Sequence, residues 1–318
     1  MLPHGQPWLD TDGRPIQAHG GGVLVHGEAF YWYGENKAGP TRSRGGVGQR
    51  VDLIGVSCYR STDLVRWENL GVVLPAVPDD ETHDLHPSKV AERPKVVHNA
   101  RTGRFVMWLH VDREGYGKAA AGVAVADRPE GPFRYLYSLR PGGGDCRDQT
   151  LFIDDDGAAY HVCSTHGNAT TRISRLDDEY LRPTGQEAMA FPGRYMEAQA
   201  VVKHGGRYWM LASGCTGWDP NPARSAVADS IMGPWAELDN PCRGPDAAIT
   251  FHAQSTFLLD LSGASGRASD RAAGGVVAMF DRWNRKDLGD SRYVWLPVEF
   301  RRDRMVIPWR DAFDPALA

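Results

Sequence analysis

Four polar side chains of this sequence stand directly ahead of short apolar runs of the β type. They are Glu92 in AERPKVV, Asp148 in CRDQTLFI, Glu197 in YMEAQAVV and Gln254 in FHAQSTFLL. Their spacing of about 50 to 60 residues is typical of blade repeats in β-propellers. Because a radial fold gathers the first strand of every blade around one axis, we expect the four side chains to converge there. Convergent carboxylates can supply the acid and base of glycoside hydrolysis.

Glu197 has the sequence environment of a proton donor. It lies between Met196 and the apolar run AQAVV, so a glutamate at this strand start is partly desolvated, and desolvation raises the pKa of a carboxyl group. A second carboxylate nearby, such as Asp148, would raise that pKa further. The pattern therefore predicts Glu197 as an acid that stays protonated near neutral pH.

Each of the three acidic residues also has an ordinary structural interpretation. Glu197 could be an exposed residue at a strand edge, since charged side chains are mostly solvated. Asp148 could cap a turn or pair with Arg147, and Glu92 could form a salt bridge with Arg93. The recurrence of the pattern favours the catalytic interpretation over these alternatives.

The elements that must position these residues are short strands joined by tight turns. GGGVLVHGEAFYWYGEN indicates a strand, a turn at His26-Gly27 and a second strand, and further turns are expected at 99–103, 154–157 and 205–206. Two matched corners, GPF and GPW, mark repeated units. We predict one all-β domain over residues 1–318, a five-bladed β-propeller closed by blade one or the residues before it, with a flexible loop at 264–274. The alternatives are a β-sandwich or two stacked β domains.

Composition excludes several classes of partner. The formal net charge is −4, with no basic stripe, so nucleic acid is not an expected partner. No window approaches the roughly 20 apolar residues that span a bilayer, and no leader is evident at Met1, so we expect a cytoplasmic protein without membrane contact, or a secreted one if a leader has been removed. Five dispersed cysteines without a CxxC pair indicate reduced, mostly buried thiols.

No cofactor is expected, and the spacing of histidines and acids predicts no metal site. His83, Asp84 and His86 could ligate a metal, but the segment DDETHDLHP is typical of a solvated loop between the first two blades.

Six strings carry a resemblance to a known family: GGGVLVHGEAFYWYGENK, ERPKVVHN, RDQTLFIDDDG, MEAQAVVKHGGRYWMLASGCTGWDPNP, AQSTFLL and DRWN. Together they resemble the family 43 glycoside hydrolases, specifically the exo-β-1,3-galactanase branch, from about His19 to Phe300. The resemblance implies a five-bladed propeller that acts by inversion and holds the glycan in a pocket at its axis.

The resemblance also implies roles for individual residues. Glu197 matches the general acid, Asp148 the carboxylate that tunes and orients this acid, and Glu92 a pocket glutamate that helps to hold the sugar or water. Gln254 matches the residue that holds the nucleophilic water. The implied sugar contacts are Glu35, Tyr116, Asn168, Thr216 and Trp218.

The usual general base of family 43 is missing, because the stretch that carries its aspartate reads AHGGG here. A neutral amide is a very poor base. Gln254 must therefore position water, act through an imidic tautomer, or pass the proton to Glu92, and all three routes stay open at this point. His19 is a further conceivable base by position, although a histidine flanked by glycines is more often a hydrogen-bonding core residue.

Four functions follow from these patterns. The leading one is an inverting exo-acting hydrolase that releases galactose from β-1,3-galactan or its oligosaccharides. The alternatives are a different family 43 glycosidase of the arabinofuranosidase or xylosidase type, a glycoside phosphorylase, and a catalytically silent sugar-binding propeller.

Overall fold

The computed structural model describes residues 1–43, 49–262 and 275–315. Five antiparallel sheets follow one another along the chain, and we label them blades I to V. Blade I contains His19–His26, Ala29–Glu35, Gly55–Ser61 and Glu68–Pro75. Blade II contains Val90–Asn99, Arg104–Asp112, Ala120–Ala126 and Arg134–Leu139. Blade III contains Gln149–Ile153, Ala159–Thr165, Thr170–Leu176 and Pro183–Ala190.

Blades IV and V complete the series. Blade IV contains Met196–His204, Arg207–Gly214, Arg224–Ala228 and Ala236–Leu238. Blade V contains Gln254–Asp260, Val276–Arg282, Arg292–Arg301 and Arg304–Pro308, with Cys242–Arg243 added parallel to its last strand. Two small ribbons pair Leu2–Pro3 with Ala312–Phe313 and Arg42–Ser43 with Gln49–Arg50. The helical turns of the described residues are short 3-10 segments at Pro141–Gly143, Ala247–His252 and Leu288–Asp290.

The first strand of each blade is innermost, and each contacts the innermost strand of the next blade. The strand of blade V contacts that of blade I, so the ring closes. This arrangement confirms the five-bladed propeller and excludes the sandwich and the stacked domains. That residues 1–318 form a single domain stays a prediction, and the loop predicted at 264–274 lies outside the described residues.

The predicted turns are confirmed at each strand connection. The chain reverses at His26-Gly27, at 99–103, at 154–157 and at Gly205-Gly206, between the first and second strands of blades I to IV. The matched corners occupy equivalent places between the third and fourth strands of blades II and IV, and both Gly131-Pro132 and Gly233-Pro234 are cis. None of the described residues forms a helix with the length and apolarity that a membrane crossing requires.

Five apolar clusters fill the spaces between neighbouring blades. The cluster between blades V and I is richest in aromatic rings, and the residues before blade I join it through Leu2, Trp8 and Ile16. Trp295 of blade V meets Trp32 of blade I with ring centroids 4.9 Å apart. The first residues of the chain thus help to seal the ring, as the sequence predicts.

We expect Trp295→Ala to destabilise the fold by about 3 to 5 kcal/mol, because it empties a fully buried indole site at the closure of the ring. Urea unfolding followed by circular dichroism measures the change. Met189→Ala, at an exposed position, is the matched control and should shift the free energy of unfolding by about 0.5 kcal/mol or less. Equal stability of both variants would contradict this account of ring closure.

Candidate active site

A pocket of about 330 Å³ opens where the innermost strands begin. It brings together eight of the nine site residues predicted from the sequence, namely Glu35, Glu92, Tyr116, Asp148, Asn168, Glu197, Trp218 and Gln254. Five further residues complete its lining: Arg93, His110, Arg147, Gly217 and Trp283. The fold therefore converges residues from all five blades on one cavity.

Bulges in the innermost strands aim the functional side chains. The strand register shifts between Glu92 and Lys95 in blade II and between Glu197 and Ala200 in blade IV. The residue after each glutamate has a left-handed backbone, with φ of 55° at Arg93 and 58° at Ala198. Bulges re-aim side chains, and such conformations persist where the surrounding structure holds them. Both glutamates consequently line the pocket.

Arg93 links three blades across the axis. Its guanidinium donates to the Ser255 carbonyl at 2.8 Å and to Oε1 of Gln254 at 2.6 Å, both in blade V. It also pairs with Asp148 of blade III at 3.1 Å. The interpretations that paired Arg93 with Glu92, and Arg147 with Asp148, are therefore wrong, because Arg147 pairs with Asp145 instead. Planarity and five donors allow one guanidinium to serve several acceptors.

Glu197 is a protonated acid near neutral pH. Burial raises its pKa to about 8, and the negative charge of Asp148 contributes to the shift. Its Oε1 accepts a hydrogen bond from Nε2 of Gln254 at 2.9 Å, and its Oε2 accepts one from Nδ2 of Asn168 at 3.3 Å. Asp148 accepts a hydrogen bond from the Ala198 amide at 3.0 Å, which links the two carboxylates through the backbone.

Gln254 uses all of its hydrogen-bonding capacity. Its Oε1 accepts from Arg93 and, at 3.0 Å, from the indole nitrogen of Trp283. Its Nε2 donates to Glu197 and, at 3.0 Å, to Oγ of Ser213. Two donors directed at Oε1 leave no place for a proton on that oxygen, so the contacts favour the ordinary amide over the imidic tautomer.

Glu92 has the opposite electrostatic environment to Glu197. Burial alone would raise its pKa, but His110 and the hydroxyl of Tyr116 lower it to about 2. His110 lies 3.3 Å from Glu92 through Nδ1 and 3.0 Å from Asp112 through Nε2. Burial alone would lower the pKa of His110, but these two acids raise it to about 10. Glu92, His110 and Asp112 thus form a buried chain along one wall of the pocket, in which an imidazolium lies between two carboxylates.

Glu35 lies against Gly20 of the AHGGG stretch, from which the usual aspartate is missing. A Cβ atom on Gly20, whose φ is 60°, would lie 2.3 Å from Oε1 of Glu35. Glu35 pairs with Lys37 at 2.7 Å and accepts a hydrogen bond from the Arg93 amide at 3.0 Å. Burial raises its pKa, and Lys37 opposes that shift. A side chain at Gly20 is thus incompatible with this position of Glu35.

The GCTGWDPNP loop presents Trp218 to the pocket. Asn221 fixes the loop through the Gly214 backbone and the Thr216 hydroxyl, which in turn donates to the Asp219 carbonyl. Thr216 therefore stabilises the loop and does not line the pocket. The rings of Trp218 and Trp283 meet edge to face, 5.2 Å apart, and form an aromatic wall.

The remaining candidates lie away from the reacting space. His19 is fully buried and stacks on Tyr293 at 5.0 Å, which agrees with the core interpretation rather than a basic role. Asp84 pairs with Lys118 and accepts a hydrogen bond from Tyr135, so it serves the loop that precedes blade II.

One group of metal-type donors lies in the pocket. Donor atoms of Glu92, His110 and Asp148 lie within 4.8 Å of one another. Both ring nitrogens of His110 face carboxylates, however, and a protonated imidazole has no lone pair for a metal. The three residues therefore fit an ion-pair network and not a metal site.

Comparison with known proteins identifies the family. Residues 23–260 match the model of the glycosyl hydrolases family 43. The chain belongs to glycosyl hydrolase family 43. This family 43 chain is accordingly a glycoside hydrolase by fold and sequence. No protein of curated function matches it significantly.

Solved family 43 structures are similar over nearly the whole chain. A β-1,3-galactosidase with galactodeoxynojirimycin is 40% identical, with a TM-score of 0.88 over 98% of this chain and 100% of the other. An exo-β-1,3-galactanase from Phanerochaete chrysosporium with galactose is 36% identical, with a TM-score of 0.86 over 100% of this chain and 69% of the other. An exo-β-1,3-galactanase from Clostridium thermocellum is 35% identical, with a TM-score of 0.83 over 98% of this chain and 65% of the other.

Sequence reasoning missed four side chains that line the pocket of this family 43 protein. Arg93 follows Glu92 directly, so the sequence suggested a local pair, whereas its partners lie in other blades. His110 carries no motif, and Arg147 and Trp283 stand in the family strings RDQTLFIDDDG and DRWN without a role. The tryptophan of DRWN, taken together with Trp218 of GCTGWDPNP, was the available signal for an aromatic wall.

We expect His110→Gln to destabilise the protein by about 3 to 5 kcal/mol near pH 6, because it leaves two acids without their buried cation. A raised pKa means that the imidazolium stabilises the fold fully below about pH 6.5, and that this contribution is lost as the pH rises towards 10. The stability gap between wild type and variant should therefore shrink from pH 6 to pH 10.

Chemical unfolding at a series of pH values measures this gap. His252→Gln removes an exposed histidine and acid pair and should cost about 1 kcal/mol or less, which makes it the matched control. A gap for His110→Gln that stays constant with pH would show that the imidazole is neutral in the folded protein.

Proposed function

We propose that this protein is an inverting exo-β-1,3-galactosidase that removes terminal galactose from β-1,3-galactan or its oligosaccharides. The observation that carries the proposal is the protonated Glu197 beside the fully bonded amide of Gln254 in an axial pocket. The cavity of about 330 Å³ is at the small end of the range for ligand sites, which suits one terminal sugar and an exo mode of attack.

The sugar assignment rests on the relatives and on the aromatic wall. The 40% identical relative was solved with a galactose-like iminosugar, and a variant of the Phanerochaete chrysosporium enzyme was solved with β-1,3-galactotriose. The axial O4 of galactose leaves one face of C–H bonds that can lie on an indole ring such as Trp218. Both observations support terminal β-1,3-linked galactose as the substrate.

In this mechanism Glu197 protonates the departing glycosidic oxygen. Its raised pKa keeps the proton in place, and Asp148 maintains that pKa through its charge. After transfer the new carboxylate remains hydrogen bonded to Gln254 and Asn168, which stabilises the charge it acquires.

Water attacks the opposite face of an oxocarbenium-like transition state. Gln254 holds this water once one of its four hydrogen bonds breaks. Arg93 and Trp283 keep the orientation of its amide through their hydrogen bonds to Oε1. Glu92 then accepts the proton. Its pKa of about 2 makes it a weak base, but water becomes strongly acidic as its oxygen bonds to the anomeric carbon, so a weak base suffices.

The charges of the pocket favour hydrolysis over phosphorolysis. Arg93 pairs with Asp148, Arg147 with Asp145, and His110 with two acids. Among the described residues that line the pocket, every cation therefore already has a carboxylate partner. A phosphate ion would have to displace one of these acids.

Incubation with β-1,3-galactobiose, followed by proton NMR, tests the proposal. We expect α-galactose to appear first, at a rate independent of phosphate, because inversion at a β-linkage yields the α-anomer. Galactose 1-phosphate formed only with phosphate would establish a phosphorylase, and binding without turnover a silent sugar-binding protein. Faster cleavage of aryl arabinofuranosides or xylosides than of β-1,3-galactobiose would show that the preferred sugar is arabinofuranose or xylose and not galactose.

Glu197→Gln should lower kcat on galactobiose by about 10² to 10⁴-fold, because the amide cannot donate the proton that the leaving oxygen needs. Stopped-assay kinetics measure the loss, and isothermal titration with galactobiose should show that binding persists. Glu237→Gln, which changes a glutamate of the outer strand of blade IV, is the matched control. An undiminished rate would place the acid elsewhere.

The pH profile of kcat/KM should fall at alkaline pH with an apparent pKa of about 8, as Glu197 loses its proton. Asp148→Asn should move this limb to lower pH, because the charge that opposes ionisation of Glu197 is gone and Arg93 then lacks its partner. Initial rates from pH 5 to pH 10 check both statements. A limb that is unchanged in the variant would contradict the role given to Asp148.

A further inference from the structure

Two thiols and one imidazole lie close together in the buried interior between blades II and III. Cys146, His161 and Cys163 are all fully buried, and one donor atom from each lies within 4.8 Å of the other two. Sγ of Cys146 lies 4.0 Å from Nε2 of His161. The sequence predicted no metal site, because these residues match no motif spacing.

The scaffold fixes all three residues. His161 and Cys163 stand two apart on the second strand of blade III, so their side chains share one face of the sheet. Cys146 lies on the segment before the innermost strand, held by a hydrogen bond from its amide to the Ala119 carbonyl at 2.9 Å. The ring of His161 lies against Trp108, with centroids 4.6 Å apart.

The imidazole of His161 is poorly satisfied where it lies. Its Nδ1 is buried and has no hydrogen-bond partner among the described residues, and Nε2 has only the long contact to the Cys146 thiol. Burying a polar ring without partners costs free energy. Coordination through Nε2 would offset part of that cost.

A guanidinium lies opposite one of the two thiols. Arg172 pairs across the strands with Cys163, and its Nε is buried without a partner among the described residues. Thiolate is the form that binds metals, and a guanidinium close by favours it.

We propose that Cys146, His161 and Cys163 form a three-coordinate site for Cu(I). Thiolates are soft donors that select Cu(I) or Zn²⁺, imidazole suits both metals, and no carboxylate belongs to the group. Zn²⁺ requires four ligands in structural sites, and the described residues supply three. Two thiolates and Cu(I) carry a net charge of −1, and the neighbouring cation is Arg172, which lies opposite Cys163 and also pairs through Nη1 with Glu187.

The site would brace the catalytic carboxylates without touching substrate. Cys146 is two residues before Asp148, and Cys163 precedes Ser164, whose hydroxyl donates to the Met196 carbonyl next to Glu197. A bound ion would therefore join the segment that carries Asp148 to the strand whose Ser164 contacts the segment of Glu197. Its effect should be on stability, since the ion has no place in the reaction sequence.

Loading with Cu(I) tests the proposal. The full chain carrying Cys215→Ser, which removes the exposed thiol, is reduced and incubated anaerobically with Cu(I) buffered by a competing chelator. We expect one equivalent of copper to survive desalting, X-ray absorption to show two sulfur ligands and one nitrogen, and Tm to rise by several degrees. Ag(I), a redox-stable soft cation, should give the same stoichiometry.

The control variants separate this site from other thiols. Cys163→Ser in the same background should lose at least nine tenths of the bound metal, while Cys58→Ser, at a buried thiol outside the cluster, should bind as the parent does. If Cys163→Ser fails to fold by circular dichroism, His161→Gln takes its place. Any of three results would overturn the proposal. Cys163→Ser could bind as much copper as Cys58→Ser does, the parent could retain no copper, or mass spectrometry could find a disulfide between Cys146 and Cys163.

Discussion

The guanidinium of Arg93 is the interaction on which the site depends. It lies at the axis and joins Asp148 of blade III to Gln254 and the Ser255 carbonyl of blade V, while its own backbone amide donates to Glu35 of blade I. A buried cation of this kind is tolerated only because each acceptor is in place. The same contacts hold the amide of Gln254 in one orientation and place a cation against Asp148 beside Glu197.

Two glutamates at matching places in the repeat have opposite chemistry. Glu92 and Glu197 both lie near the start of an innermost strand and both precede a left-handed residue. Glu92 faces an imidazolium and stays ionised, whereas Glu197 faces the charge of Asp148 in a desolvated position and keeps its proton. The neighbouring charges and the burial of each glutamate, and not the residue type, therefore determine which one is the acid and which one the base, as in glycosidases generally. The propeller repeat supplies equivalent positions, and the blades differ in what surrounds them.

Much of this could be predicted because the signals are local. Period-two strands, tight turns and the GPF and GPW corners depend on residues close in sequence, so the blades and their number could be inferred. Eight of the nine proposed site residues line the pocket. Four of them, Glu92, Asp148, Glu197 and Gln254, do so because the start of each innermost strand faces the axis, and the other four were assigned through the family strings or the family's pocket. Thr216 failed as a pocket residue because its hydroxyl is used inside its own loop, a pairing that depends on Asn221 and on the loop's path.

By itself, the sequence determined the propeller, the convergence of Glu92, Asp148, Glu197 and Gln254, and the family. The propeller and the convergence follow from alternation, turn chemistry and repeat spacing, and the family follows from the resemblance of six short strings; all of these are properties of short segments. Only the tertiary structure decided that Arg93 serves blades III and V, that His110 holds Glu92 ionised, that Glu35 occupies the space beside Gly20, and that two distant cysteines meet His161. Such contacts join residues of different strands or blades, and their energies depend on distance and desolvation, which a linear sequence does not contain.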